Sequence, residues 1–148
     1  MLVSIIIRTL NEERYLDELL CAINSQKLSG FSCEIVVVDS GSTDNTLKIA
    51  KRYDARITYI NKQDFTFGRS LNIGCEFANG EYLVFISGHC IPVDQNWLNS
   101  LVAPLIQNKC DYSYGRQIGR DTTKFSETQV FDKYFPNKTH IPQSGFFC

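Results

Sequence analysis

The sequence has 148 residues, of which 43% are hydrophobic and 21% charged, so it has the length and composition of one globular domain and is neither disordered nor fibrous. Fifteen basic and sixteen acidic residues give a formal net charge of -1, which excludes a basic surplus that would bind nucleic acid nonspecifically. The N-terminus has no basic leader, and no apolar run approaches the ~20 residues of a membrane-spanning helix. We therefore expect a single domain over residues 1–148, located in the cytoplasm, with peripheral attachment to the inner face of the membrane left open.

Apolar segments of strand length alternate along the chain with segments of helical periodicity. Strands are predicted at 2–7, 34–38, 56–60, 81–86 and 112–114, because these segments are short and rich in Ile, Val, Tyr and Phe. Helices are predicted at 16–23, from residue 44, and at 71–78, 98–105 and 125–135. The alternation predicts an α/β fold of Rossmann-like type, with a mostly parallel sheet and helices on both faces.

The cysteines occur without the spacing of a metal or redox motif. There are six of them, with neither a Cys-x-x-Cys pair nor a histidine pair at zinc-binding spacing. Cys33 and Cys75 lie in or beside apolar segments, where a free cysteine packs as a small hydrophobic residue. We predict reduced, buried thiols and a reducing compartment.

Polar residues follow three of the predicted strands, at 8–12, 39–44 and 87–90. In an open parallel sheet, ligands bind beyond the carboxyl ends of the strands, so three such clusters favour a shared polar cleft over simple turns. Asp39 is the most informative residue, because a carboxylate at the end of an apolar strand is costly unless it faces solvent or accepts hydrogen bonds. It could bind a uracil N–H or a ribose hydroxyl, or it could cap the turn at Gly41.

Several common nucleotide-binding and catalytic motifs are missing from the sequence. No Gly-x-Gly-x-x-Gly follows the first strand, and the chain contains neither a P-loop nor a Gly-x-Ser-x-Gly motif. A phosphoacceptor receiver module is disfavoured, because Glu12 and Glu13 replace its paired aspartates and Asp39 follows the second strand instead of the third. The residues therefore favour a nucleotide site without a glycine-rich phosphate loop.

Three segments together resemble the inverting family 2 glycosyltransferases, which have the GT-A, nucleotide-diphospho-sugar transferase fold. They are SIIIRTLNE at 4–12, VVVDSGSTDNT at 36–46 and GEYLVFI at 80–86, followed by Pro92 and by NWL at 96–98. The order and spacing of these segments carry the resemblance over essentially the whole chain.

The resemblance implies roles for residues of the predicted cleft. Thr9, Asn11 and Glu12 would line the nucleoside pocket, and Asp39 would hold the base or the ribose of a nucleoside diphosphate sugar. Arg69 would lie near the base or the diphosphate, although a solvated arginine at a helix start is the alternative.

The sequence departs from the family pattern after the fourth strand. Family members typically carry an Asp-x-Asp there, which engages a divalent cation, Mn²⁺ or Mg²⁺, and this chain has Ser87, Gly88 and His89. By position, Ser87 and Gly88 would lie against the nucleotide sugar, and His89 is a candidate ligand for Mn²⁺. A direct contact of His89 with phosphate and a histidine that merely fills the turn remain alternatives. Asp94 could add a carboxylate, but its position before a helix is typical of an N-cap.

The resemblance implies transfer of a sugar from a nucleoside diphosphate sugar, expected to be UDP-linked, to a glycan, polysaccharide or lipid-linked acceptor with inversion. The acceptor-binding half and its acidic general base would be expected beyond residue 148, so the catalytic residues are not assigned and this chain alone is expected to transfer sugar poorly. The alternative is a noncatalytic nucleotide-sugar-binding module that works with a partner chain.

Overall fold

The computed structural model describes residues 1–119 and 123–134. The strands are β1 (Leu2–Thr9), β2 (Ser32–Asp39), β3 (Arg56–Tyr59) and β4 (Tyr82–Ser87). The helices are α1 (Glu13–Asn24), α2 (Thr46–Arg52), α3 (Phe67–Phe77), α4 (Trp97–Ile106) and α5 (Phe125–Tyr134). Over the described ranges, no helix combines the length and the apolar character needed to cross a membrane.

The described strands form one parallel sheet in the order β3-β2-β1-β4. Successive residues of the central strand β1 point to opposite faces, so both faces of the sheet must be covered. Ile5 and Ile7 pack with α1, α2 and α4, whereas Ile6 packs on the other face with Val36, Val38 and residues of α3. The predicted α/β class, with helices on both faces, is confirmed.

Helix α3 approaches the sheet closely at Gly74. A Cβ atom at this position would lie 2.5 Å from Cγ2 of Ile6 and 3.1 Å from Cγ2 of Val38. Glycine is therefore required by the distance between the helix and the sheet. This contact lets α3 pack close against the sheet. The packing in turn helps to position the first turn of α3 beside the carboxyl ends of the strands.

A polar network joins the amino ends of the strands. The carboxylate of Glu34 accepts hydrogen bonds from the Ser4 hydroxyl (2.6 Å), the Asn79 N–H (2.6 Å) and the Arg56 guanidinium (2.9 Å). The Ser4 oxygen in turn accepts the Gly80 N–H at 2.8 Å. Burial acts to raise the pKa of Glu34, but the hydrogen bonds from Ser4 and Asn79, with the hydrogen bond and charge of Arg56, outweigh it and hold the pKa below its usual value.

The predicted strand at 112–114 is wrong. Those residues lie outside the sheet, and the Ser113 hydroxyl donates to the Leu101 carbonyl of α4 at 2.5 Å. Tyr112 and Tyr114 are 47% and 41% exposed, so this segment does not bury the two faces that an internal parallel strand buries. The aromatic residues of this segment have a high strand propensity. The segment nevertheless packs beside α4 and does not pair with a strand, because tertiary contacts outweigh local propensity.

The other strands match the prediction but have different ends. β1, β2 and β4 continue to Thr9, Asp39 and Ser87, because the parallel hydrogen-bond register extends past the last apolar residue. The predicted helix at 125–135 is present as α5, and Phe135 lies outside the described residues. Because β1, β2 and β4 are longer than predicted, the predicted site residues Thr9, Asp39 and Ser87 are the last residues of their strands.

The described cysteines are free thiols, and none of them is as buried as predicted. Cys33 and Cys75 are half-buried, and burial raises the pKa of both thiols, which disfavours the reactive thiolate. Cys21 is exposed, so the prediction of a buried thiol is wrong there. Position 21 lies outside the apolar stripe by which α1 packs on the sheet, formed by Leu16, Leu19, Leu20 and Ile23.

Candidate functional site

The strand order reverses at β1, which places a crevice at the carboxyl ends of the sheet. The chain passes from β1 through β2 to β3 on one side, and β4 then returns to the other side of β1. A reversal of this kind is where open α/β sheets bind ligands. The loops that begin after Thr9, Asp39 and Ser87 meet at this edge.

Asp39 is buried, at 1% exposure, and its carboxylate organises the loop after β2. Oδ1 accepts the hydroxyls of Thr9 (3.0 Å) and Ser42 (2.5 Å), and Oδ2 accepts the N–H groups of Gly41 and Ser42, both at 2.9 Å. Gly41 has φ +100°, a left-handed conformation that glycine adopts without a Cβ clash. Four donors occupy the roughly four lone-pair sites of a carboxylate, so Asp39 makes the turn-capping contacts that were one of its two interpretations.

The loops after β1 and β2 are joined by reciprocal hydrogen bonds. Asn11, at φ +56°, donates its N–H to Oγ of Ser42 (2.9 Å) and accepts the Thr43 N–H on Oδ1 (2.8 Å). The Glu12 N–H donates to Oγ1 of Thr46 at 2.8 Å. These bonds satisfy N–H groups at the start of α1 with side chains from a loop about 30 residues away in sequence, which fixes the two loops relative to each other.

Asp44 caps both helices at this edge. Its Oδ2 accepts the Glu13 N–H of α1 at 3.1 Å, and its Oδ1 accepts the Thr46 N–H of α2 at 2.9 Å. Desolvation acts to raise the pKa of Asp44, but hydrogen bonds from Thr46 and Glu13 outweigh it and lower the pKa. The helix predicted from residue 44 is therefore present as α2, which begins at Thr46.

The structure brings Glu12 and His89 together in the crevice. Nδ1 of His89 lies 3.2 Å from Oε1 of Glu12, and the two side chains are 58% and 21% exposed. The contact depends on Gly88, where a Cβ would lie 2.9 Å from Cγ of Glu12 and 3.2 Å from the carbonyl oxygen of Arg8. Gly88 therefore lets the turn after β4 pass close enough for His89 to reach Glu12.

Two other candidate residues have local partners. The Arg69 guanidinium lies 3.5 Å from Oδ1 of Asp64 and donates to the Asp64 carbonyl at 3.2 Å, beside the first turn of α3. Oδ1 of Asp94 accepts the Asn96 N–H at 2.7 Å, a contact typical of the start of a helix. The structure thus joins Thr9 to Asp39 and Glu12 to His89, and it places Arg69 with Asp64.

Sequence reasoning missed two residues of this edge. Ser42 bonds to both Asp39 and Asn11, and Thr46 binds the Glu12 N–H. Both lie within the VVVDSGSTDNT segment, but only the folded positions of the two loops show which hydroxyl meets which partner.

The chain is similar in sequence to known glycosyltransferases. The glycosyl transferase family 2 model matches residues 4–146. Poly(ribitol-phosphate) beta-N-acetylglucosaminyltransferase TarS of Staphylococcus aureus is 32% identical over 87 residues, which cover 56% of this chain and 15% of TarS.

Two solved structures of other proteins have a fold similar to that of this chain. The crystal structure of TarS 1-349 in complex with UDP-GlcNAc has a TM-score of 0.61 and 28% identity, covering 75% of this chain and 33% of that one. Glucosyl-3-phosphoglycerate synthase from Mycobacterium tuberculosis, in complex with Mn²⁺, UDP and glucosyl-3-phosphoglycerate, has a TM-score of 0.58 and 27% identity, covering 70% and 39%. The chain thus spans well under half the length of these relatives.

These structures confirm the GT-A type of the parallel α/β fold. Because the family model spans nearly all of the sequence, the chain belongs to glycosyl transferase family 2.

Proposed function

We propose that this chain provides the donor site of an inverting glycosyltransferase, which transfers a sugar from a UDP-linked donor to a glycan, polysaccharide or lipid-linked acceptor. The observation that carries the proposal is the family match over residues 4–146, which includes every loop at the carboxyl edge of the described sheet. Relatives solved with UDP-GlcNAc or with UDP support a uridine nucleotide.

In this proposal Asp39 anchors the nucleoside end of the site. Its carboxylate already accepts four hydrogen bonds, so a nucleoside N–H or hydroxyl must displace one of them. The Ser42 hydroxyl can rotate, whereas the N–H groups of Gly41 and Ser42 are fixed by the backbone. We therefore expect the Ser42 hydroxyl to move when the nucleotide binds.

Glu12 and His89 form the remaining donor set of the crevice. One carboxylate and one imidazole suit Mn²⁺ better than Mg²⁺, which prefers oxygen ligands. Among residues 1–119 and 123–134, no group of three or more His, Cys, Asp or Glu side chains converges on one point. A cation held by this pair would therefore have to take its other ligands from the phosphates. A divalent cation bound there would neutralise charge on the diphosphate leaving group.

Ligand binding tests the donor site directly. UDP should raise the midpoint of thermal unfolding, because a ligand at about 100 times its Kd adds about 2.7 kcal/mol to the stability of the folded state. Uridine, GDP and dTDP serve as comparisons in the same assay. If none of the nucleotides stabilises the chain, the proposed donor site is wrong.

Transfer assays separate the enzyme from the binding module. A chain that binds UDP-sugars and neither transfers nor hydrolyses the sugar, alone or with other proteins of its source, would be the noncatalytic module. NMR can determine the anomeric configuration of the transferred or released sugar. An inverted configuration would show that the chain acts as an inverting glycosyltransferase.

We expect Mn²⁺ to strengthen UDP binding about 10-fold, because the imidazole of His89 and the carboxylate of Glu12 supply only part of a coordination shell and the diphosphate completes it. Calorimetric titration of UDP with Mn²⁺ or with chelator measures this effect. In His89→Ala and Glu12→Gln the gain should disappear. Glu81→Gln, at an exposed carboxylate beside the amino end of β4, is the matched control and should keep it. A chelator-insensitive wild type, or a full Mn²⁺ effect in His89→Ala, would contradict the assignment.

A further inference from the structure

Two arginines of the sheet lie over two phenylalanines of α3. The Arg56 guanidinium carbon is 4.4 Å from the ring centre of Phe77 at the amino end of the sheet, and that of Arg8 is 4.7 Å from the ring centre of Phe67 at the carboxyl end. A cation held over a ring keeps its full charge while its position is restricted. The two contacts thus hold two guanidinium groups in the same way, one at the amino ends and one at the carboxyl ends of the strands.

The two arginines differ in their ionic partners. Arg56 also binds the carboxylate of Glu34 at 2.9 Å, so its charge is paired. Among the residues that the structure describes, no carboxylate lies within ion-pair distance of Arg8. The unpaired guanidinium is the one at the edge where open α/β sheets bind ligands.

Arg8 is also next to the turn that carries His89. Its Cα pairs with that of Ser87 in the parallel register between β1 and β4, and its carbonyl oxygen lies against Gly88. Phe67, the ring beneath the guanidinium, is 68% exposed, so solvent reaches this part of the crevice. The backbone of Arg8 therefore lies beside the turn that carries His89, and its guanidinium lies over Phe67 at the same end of the sheet.

The Arg8 guanidinium supplies the positive charge that an anionic group at this position would need. Asp39 is buried and fully hydrogen-bonded, and the pair of Glu12 and His89, in which only the His89 side chain is exposed, contains a single carboxylate. An arginine fork matches phosphate oxygens and forms charge-assisted hydrogen bonds with them. The diphosphate is the anionic group common to nucleoside diphosphate sugars.

We propose that Arg8 binds the diphosphate of the nucleoside diphosphate sugar. This inference rests on the proposed function and adds to it a cationic diphosphate ligand at the end of the central strand. Arg8 supplies positive charge beside a turn that lacks carboxylates, so diphosphate binding persists in part when the divalent cation is removed.

The test compares UDP with uridine in the presence of chelator, by calorimetry on the whole chain. Arg8→Met should weaken UDP binding about 10-fold and uridine binding less than about 2-fold, because only UDP carries the diphosphate. Phe67→Leu, which keeps the guanidinium and removes the ring, should weaken UDP binding by an intermediate factor of about 3.

Arg56→Met is the matched control, since it removes an arginine with the same ring contact at the opposite edge. It should leave UDP affinity unchanged, and Arg52→Met, which removes an exposed arginine of α2, takes its place if Arg56→Met does not fold. Unchanged UDP affinity in Arg8→Met, or an equal loss for uridine and UDP, would overturn the inference alone. Failure of the wild type to bind UDP in chelator, with binding restored by Mn²⁺, would overturn the inference alone. Failure to bind UDP both in chelator and with Mn²⁺ would overturn the proposed function and the inference with it.

Discussion

Replacing Asp39 by alanine is expected to lower the free energy of unfolding by about 3 kcal/mol and to weaken UDP binding by about 10-fold or more. The substitution leaves the hydroxyls of Thr9 and Ser42 and two backbone N–H groups without their common acceptor. A domain with a typical stability of about 5–15 kcal/mol stays folded after this loss, so binding can still be measured. Urea unfolding and calorimetric titration of UDP give the two quantities.

Two further variants separate a nucleoside contact from a loop effect. Ser42→Ala removes one donor to Asp39 and the acceptor of the Asn11 N–H but keeps the carboxylate of Asp39, so UDP affinity should change less than about 3-fold. Asp44→Ala removes caps from α1 and α2 in the same loop and should cost about 1 kcal/mol of stability. If Asp44→Ala weakens UDP binding as much as Asp39→Ala, Asp39 acts only by shaping the loop and the anchor assignment fails.

Replacing Glu34 by alanine is expected to lower the free energy of unfolding by about 3 kcal/mol without changing UDP affinity in the folded protein. Ser4, Asn79 and Arg56 lose the acceptor that joins them, and Ser4 is fully buried. Asp17 makes an ion pair of the same length, 2.9 Å, with Arg52, but both side chains are more than half exposed. Asp17→Ala should therefore cost less than about 1 kcal/mol in the same urea titration, and equal losses would contradict the role of burial.

The Glu34 network also predicts a loss of stability in acid. The folded-state pKa of Glu34 is depressed, so its contribution is fully present above the unfolded-state pKa of about 4.3 and is lost as the pH falls through the folded-state pKa. Glu34→Gln keeps the side-chain volume and cannot ionise, so its stability should depend less on pH below about 5 than that of the wild type. Parallel pH dependences in the two proteins would show that Glu34 does not contribute to acid unfolding.

The segments at the carboxyl edge could be located from the sequence, whereas their contacts could not. Apolar runs followed directly by polar clusters mark strand ends, because only the buried part of a parallel strand must be apolar. The contact of Glu12 with His89, 77 positions away, and the bonds between Asn11 and the 42–43 turn depend on how two loops pack. No local pattern encodes such distances.

The sequence by itself determined the fold class, the parallel sheet, the edge that carries the polar clusters and membership of the family. These follow from hydrophobic periodicity and motif order, which reflect local burial. Only the tertiary structure decided that 112–114 runs beside α4, that four donors surround Asp39, and that Arg8 lies over Phe67 without a carboxylate partner among the described residues. Each depends on contacts between segments far apart in sequence, whose free energy is set by packing and not by local propensity.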